Sequence, residues 1–467
     1  MLQKLGRASS GLVTRLMPDA FIFAIVLSLS VYLAGVLFTS TGPIEMIDYW
    51  YEGFWSLLDF MMQMSLVLLT GYVLAQSPIL KRVLERIAAR PQNARQAIFL
   101  IALSSLIAGF LNWGLGLVVG AVMAIAVVRS AASRGIRVHY ALAVAAGYMG
   151  LSIHSAGFSS TAALLVNTEG HFLQDVIGIV PLSQTILSPY NLILVAIYLA
   201  VVPFVLRGMT PPPERSVGIE SDLDGGTGTY GGGGGGGGGT AITTAELKRT
   251  RSEPGYLVRR LEHSPWVIVP IVAAGTMYVG YLLITSNFSL DINMVNFIFL
   301  MIGLVLYRTP MAYVRAITGA LSSIGGIVVQ FPFYAGMLGM LAGSGLVDMI
   351  ARGMLQVSTP STFPLLAFMS AAVVNFLIPS AGGQWAVQGP ILIEAGRSLG
   401  VSSGVVVMAH QYGDQVTNML QPFWALPLLG LTGLKARDIL GYTAVIMFVG
   451  IVIFGLGITF LPPLFGM

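Results

Sequence analysis

Apolar stretches of membrane-crossing length recur along almost the whole chain. They lie at roughly 19–39, 54–76, 97–131, 138–165, 188–206, 265–284, 291–307, 322–345, 362–396, 403–432 and 438–461. About 20 apolar residues are what one helix needs to cross a hydrocarbon core. Lipid offers the backbone no hydrogen bonds, so helices are the element that such runs can form. Charge agrees with this reading. Only 9% of the 467 residues are charged, against about 25% in soluble domains. The expectation is an all-α polytopic membrane protein whose first partner is the lipid bilayer. The net charge of +4 then belongs to basic cytoplasmic loops and not to nucleic-acid binding. The lack of cysteine excludes disulfides, thiolate chemistry and cysteine-ligated metal clusters. The run that follows Lys4, Arg7 and Arg15 has no small-x-small cleavage site, so it is expected to stay as a first helix.

One segment breaks the pattern. Residues 208–262 hold Pro211 to Pro213 and nine consecutive glycines, Gly231–Gly239, and 14 charged residues lie from Arg207 to Glu262. Such a stretch cannot bury a core and reads as a flexible cytoplasmic loop. Basic clusters at 4–15, 81–95, 129–137, 207–260, 308–315 and 435–437 hold 22 of the 24 Lys and Arg residues. If all six are cytoplasmic, the stretch 96–131 begins and ends on one side. Its first limb, Gln96 to Leu111, is short for a span and stops at Asn112-Trp113-Gly114-Leu115-Gly116. A re-entrant hairpin over 96–131 fits both facts. A second hairpin over 362–396, broken between Asn375 and Trp385, is expected on the opposite face.

The two halves resemble each other. Gln63 and Gln330 each stand one helix before a hairpin, and Asn112 and Asn375 open the two hairpin breaks. His154-Ser155-Ala156-Gly157 with Thr161 corresponds to His410-Gln411-Tyr412-Gly413 with Thr417, one helix after each hairpin. The expected plan is a cytoplasmic N-terminus at 1–18, a first transmembrane repeat at 19–207 and the Gly-rich loop at 208–262. A linking transmembrane helix at 263–290 then inverts a second repeat at 291–467. This gives nine crossings and a C-terminus outside. Inverted repeats with broken helices at mid-membrane are the pattern of a secondary transporter.

Irregular backbone at membrane depth is tolerated where it is buried in protein or lines a wet cavity. A half-helix that begins there offers unpaired N–H groups and a positive dipole end. Two such ends suit a carboxylate without any arginine. The candidate binding residues are therefore Asn112, Trp113, Gly114, Gly116, Ser155 and Gly157 in the first half. In the second half they are Asn375, Ser380, Gly382, Gly383, Gln384 and Trp385. The competing reading of these glycines is close helix packing. Asp414 is the clearest acidic residue deep in the apolar part, where a carboxylate is costly and usually functional. With Gln415 and Asn418 it is the candidate coupling-ion site, for a proton or for sodium, the one metal considered. Gln63, Gln330, His154, His410 and Gln421 are expected as supporting polar groups. A small apolar tail would sit among Trp113, Phe158 and Trp385.

Several motifs carry a resemblance. They are Leu16-Met17-Pro18-Asp19, Gly53-Phe54-Trp55, NWGLGLVVGA from Asn112, QFPFYAG from Gln330, PSAGGQWAVQGP from Pro379, and YGDQ followed by QPFWALP from Tyr412 to Pro427. Together they are similar to the bacterial short-chain fatty acid transporter family, within a superfamily of inverted-repeat ion transporters. The resemblance implies a cytoplasmic-membrane symporter of small monocarboxylates such as acetoacetate or butyrate, coupled to H+ or Na+, with the hairpin tips and broken spans forming the site. It also implies a homodimer. An enzyme or a cofactor is not expected, since no GxGD, HExxH, GxSG or P-loop motif is present. The alternative is a cation/proton antiporter of the same superfamily, which Asp414 would also suit.

Overall fold

The computed structural model describes residues 20–218, 256–285, 291–376, 378 and 380–467. The N-terminal segment, the polyglycine tract and the Leu16–Asp19 motif lie outside them. Among the described residues every regular element is helical. Eight helices are long and apolar enough to cross a membrane, and Ala24–Phe38, Ile292–Tyr307 and Phe363–Asn375 are shorter apolar ones.

The helices begin where the sequence supplies caps. Ser77, Ser188 and Thr309 each accept a backbone N–H three residues on and are followed by Pro at the first helical position. That position has no N–H bond to lose, so the proline costs nothing there. Asn93 Oδ1 accepts the Gln96 N–H at 2.9 Å and starts the helix Ala94–Leu111. This corrects the expectation of a short first limb. The helix takes in Arg95 and runs for 18 residues, roughly 27 Å, while its partner Trp113–Ala132 has 20 residues. The limbs meet at Asn112 and pack along each other, with Ser105 Oγ 3.4 Å from the Gly116 carbonyl. A pair of crossings and a re-entrant hairpin both return to the starting side, so charge alone does not separate them. The second hairpin is shorter. Phe363–Asn375 has 13 residues and Ala381–Ser398 has 18.

Both expected broken spans are broken. Tyr140–Gly147 passes into 3-10 turns at Tyr148–Ser152 and His154–Ala156, and α-helix resumes at Thr161–Val166. Likewise Ser403–Thr417 passes into Asn418–Leu420 and then Pro422–Thr432. Glycine makes these breaks fit the hairpins. A Cβ on Gly109 or Gly150 would strike the facing backbone across the first hairpin, and Gly120 and Gly147 exclude each other's Cβ the same way. Ser105 fills the remaining need: its Oγ donates to the Gly147 carbonyl at 2.5 Å and accepts the Gly150 N–H at 2.8 Å.

Four short helices, Pro43–Phe54, Pro78–Ala88, Pro310–Ala320 and Leu346–Leu355, occupy stretches that sequence treats as connections. With them, one element order runs twice: span, short helix, span, short helix, two-limbed hairpin, broken span, span. Packing between the halves is reciprocal. Gly325–Gly343 lies on Ala20–Phe38 and Pro43–Phe54, while Leu58–Ala75 lies on Ile292–Tyr307 and Pro310–Ala320. The second limb of each hairpin touches the second piece of the other half's broken span, and the last helices, Pro189–Gly208 and Ala436–Phe460, pack together. Within the loop between the halves, residues 256–262 are helical, and the Val217 carbonyl accepts the Tyr140 N–H at 2.9 Å. Its two ends are therefore more ordered than a fully flexible 208–262.

Candidate functional site

The hairpin tips and the breaks converge on one cavity. It is lined by Trp113 at the first tip, Ser380, Ala381 and Gly382 at the second, Leu151, His154 and Thr161 from the first broken span, and Asn418 and Trp424 from the second. Met64, Ile327 and Phe331 close it from the spans that precede the hairpins. The empty space is about 420 Å³, counting the part open to solvent. Trp113 and Trp424 meet edge to face at 5.3 Å, and with Phe331, Leu151 and Met64 they give the cavity an apolar wall. Among the described residues no Lys or Arg lines it.

The two tips contribute differently. At the second, Ser380 Oγ accepts the Gly383 N–H at 3.3 Å and its carbonyl accepts that of Gln384 at 2.7 Å. The N–H groups of Ala381 and Gly382 have no partner inside their helix, and both residues border the cavity. At the first tip protein takes the N–H groups of Trp113, Leu115 and Gly116. Asn112 Oδ1 accepts from Leu115 at 3.0 Å, the Asn112 carbonyl from Gly116 at 2.9 Å, and Ser159 Oγ from Trp113 at 3.0 Å. The first hairpin also presents Trp113 to the cavity.

Behind the cavity lies Asp414, fully buried. Ser155 Oγ is 3.5 Å from its Oδ2, while its Oδ1 has no partner among the described residues. Gln415 Oε1 accepts the Ser155 N–H at 3.0 Å, fastening the two broken spans together.

The sequence as a whole matches the family model described as short chain fatty acid transporter, over residues 1–461. The chain belongs to this family. A protein of Escherichia coli K12 that carries the name of a candidate short-chain fatty acid transporter is 37% identical over 98% of this chain and 100% of its own. One of the same name from Haemophilus influenzae is 36% identical over 98% of this chain and 99% of its own. Among solved structures, the YdaH transporter of Alcanivorax borkumensis, described as having an unusual topology, covers 95% of this chain and 97% of its own at a TM-score of 0.55. At 17% identity that likeness shows the fold alone.

In this family member the sequence-derived candidates separate into three groups. Trp113, His154, Ser380, Gly382 and Asn418 border the cavity. Ser155, Asp414 and Gln415 form the buried cluster behind it. The others hold the scaffold. Asn112 Nδ2 donates to the Val67 carbonyl at 3.1 Å, so its amide is spent. Asn375 Nδ2 lies 2.7 Å from the Asp414 carbonyl, 2.9 Å from Thr417 Oγ1 and 2.7 Å from Asn418 Oδ1, and Gln421 Nε2 donates to the Asn375 carbonyl. Gln384 Nε2 bonds the Ala371 carbonyl at 2.8 Å and Gln388 at 2.9 Å within its own hairpin. Gly114, Gly116, Gly157 and Gly383 face Leu68, Gly109, Phe110 and the Tyr334 ring where a Cβ would be, which is the packing role.

Trp385 is fully buried and stands edge-on to His410 at 5.0 Å, while Phe158 packs on Phe110. Neither borders the cavity, so of the three residues expected around the apolar tail only Trp113 lines it. Gln63 Nε2 donates to Asn293 Oδ1 at 3.0 Å, and Gln330 Oε1 accepts from the Tyr334 hydroxyl at 3.1 Å. Sequence reasoning missed Ser159, Thr161 as a lining residue, and Phe331, although the last stands in the QFPFYAG motif that marks the family.

Proposed function

We propose that the protein carries small monocarboxylates of the acetoacetate or butyrate type across the bacterial cytoplasmic membrane, together with a cation held at Asp414. The observation that carries the reading is the cavity where both hairpin tips and both broken spans meet. It pairs the N–H groups of Ala381 and Gly382, at a positive helix end, with an apolar wall of Trp113, Trp424, Phe331 and Leu151. A short fatty acid has this same two-part chemistry. The family membership supports the substrate class. Among the described residues the lining has no Lys or Arg and is largely apolar, which favours a monoanion over a dianion.

The cation follows from energetics. Moving a lone monoanion toward a negative interior costs about 2.3 kcal/mol per 100 mV, and one co-transported proton or sodium ion removes that cost. Asp414 is a carboxylate buried without a compensating charge, which is unfavourable unless it is neutralised. A proton does this with one bond, whereas sodium wants several oxygens, and the carboxylate has one hydroxyl, that of Ser155, within 3.5 Å. We therefore favour the proton. The repeated element order and the reciprocal packing support an inverted pair of repeats with the 13-residue helix Phe363–Asn375 as a limb of a re-entrant hairpin. The cytoplasmic N-terminus, the outside C-terminus and the homodimer are part of the same proposal.

The test is uptake of labelled acetate, butyrate, acetoacetate and succinate by proteoliposomes, with pH and sodium gradients imposed separately. Accumulation of the monoacids under an acid-outside gradient is expected. Preference for succinate, or accumulation driven by sodium alone, would contradict the monoacid or the proton respectively.

A further inference from the structure

The cavity and the buried carboxylate are joined by polar side chains that the transport reading does not yet use. His154 borders the cavity. Its Nδ1 lies 2.9 Å from the Leu151 carbonyl oxygen, an atom that can only accept, so Nδ1 carries the hydrogen and Nε2 is left as an acceptor. Nε2 stands 3.1 Å from Ser155 Oγ, and Ser155 Oγ stands 3.5 Å from Asp414 Oδ2. Ser155 and Asp414 are fully buried, so His154 is the member of this array that meets the cavity.

We propose that His154 and Ser155 relay the coupling proton between Asp414 and the cavity. The proposal rests on the proton-coupled reading above. With Asp414 protonated, its Oδ2–H points to Ser155 Oγ and the Ser155 hydroxyl points to His154 Nε2. Transfer breaks the Oδ2–H bond and the original Oγ–H bond, and it forms a new Oγ–H bond and an Nε2–H bond. Asp414 is left as a carboxylate, Ser155 is again a neutral hydroxyl, now turned toward Asp414, and His154 is an imidazolium. Release requires the ring to turn so that Nε2–H leaves Ser155 for the cavity; loss of that proton to cavity water or to the acid's carboxylate then returns the ring to neutral. The reverse sequence loads Asp414. At 3.5 Å the Ser155–Asp414 step is longer than a settled O–H···O bond, so transfer waits on a small rotation of the serine.

Other titratable groups on the packed elements are engaged elsewhere. The Tyr148 hydroxyl donates to the Asn418 carbonyl at 3.0 Å, the Tyr412 hydroxyl to Asn191 Oδ1 at 2.6 Å, and His410 lies against Trp385. None of the three lines the cavity. The matched histidines of the two halves therefore differ in role, because only the first has an acceptor nitrogen in line with a hydroxyl and a carboxylate.

The test uses purified protein in proteoliposomes, with Ser155→Ala, His154→Gln and Asp414→Asn beside the unaltered chain. Three quantities are read: butyrate accumulation under a pH gradient, the accompanying proton entry from a trapped dye, and butyrate exchange at equal concentrations. Ser155→Ala and His154→Gln are expected to slow accumulation and proton entry by about a hundredfold, the lower end of what a positioned proton carrier contributes. Exchange should fall much less, and Ser155→Thr should restore much of the coupled rate. Unaltered protein should accumulate butyrate more slowly in D2O with no matching change in exchange. If Ser155→Ala and His154→Gln accumulate at the unaltered rate while Asp414→Asn does not, the relay is wrong and Asp414 remains the coupling group. If Asp414→Asn accumulates as well, the coupling reading itself fails. Should a variant be lost to misfolding, the D2O comparison decides, and net uptake without an isotope effect overturns the relay.

Discussion

Gly120 shows how residue identity sets the geometry of the broken spans. Any Cβ there would meet the Gly147 carbonyl and lie 2.8 Å from Ser105 Oγ, groups that the neighbouring backbone cannot easily move. Gly120→Ala is expected to cost about 1–3 kcal/mol as overpacking, read as a lowered midpoint of thermal unfolding in detergent. Gly280 provides the opposite case. It lies in the linking helix Ile268–Ile284 with nothing within 4 Å of a built Cβ. Alanine there should stabilise by about 0.5–1 kcal/mol, since glycine loses more chain entropy in a helix. Equal effects at the two sites would contradict the packing account. The sequence reveals that Asn112 and Asn375 stand at breaks, because an amide after an apolar run is a readable stop. It does not reveal that both amides face protein carbonyls, because polarity marks a need for partners without saying which. Asp414 was legible for a simpler reason: a carboxylate in so apolar a surrounding has few structural uses.

At the scale of elements, the hairpins and breaks could be read from glycine-rich polar interruptions of apolar runs, while the four short helices could not. In Pro78–Ala88 the buried residues are Leu84 and Ala88, four apart on one face. Lys81, Arg82 and Arg86 on the same helix make the stretch look like a basic loop. The first hairpin limb looks short in sequence for a related reason: Arg95 resembles a boundary, although a charge in the first turn of a helix can remain at the lipid–water interface.

The connection between the first broken span and Pro189–Gly208 has its own device. His171 accepts the Leu173 N–H on Nδ1 at 3.3 Å and donates from Nε2 to the Gly178 carbonyl at 3.0 Å, which requires the neutral ring. Burial holds its pKa below the ordinary 6.5, against the opposing bond to Gly178. A pKa lowered on folding contributes stability that is present above the unfolded value and lost as pH falls through the folded one. Amide exchange at Leu173, corrected for intrinsic rates, should therefore rise as pH drops below about 6.5. In His171→Gln that pH dependence should vanish. Exchange that stays flat in the unaltered protein would contradict the account.

In the whole molecule, each half supplies surface that the other half needs. Gly325–Gly343 packs on Ala20–Phe38 and Pro43–Phe54, and Leu58–Ala75 packs on their counterparts in the second half, so neither half buries its core alone. Charge distribution sets the expected orientation. A reporter fused after Met467 should read outside the cytoplasm and one fused within 225–240 should read inside, and a cytoplasmic signal from Met467 would reject nine crossings. The central claim is that the two tips and two breaks enclose the carboxylate, and the cysteine-free chain permits a direct measurement. Ser380→Cys should react with a water-soluble thiol reagent, and butyrate should slow that reaction while a cysteine at exposed Glu214, in the loop between the halves, labels at the same rate with or without it. Labelling of Ser380→Cys that butyrate leaves unchanged, in protein that still transports, would place the substrate elsewhere and contradict the account.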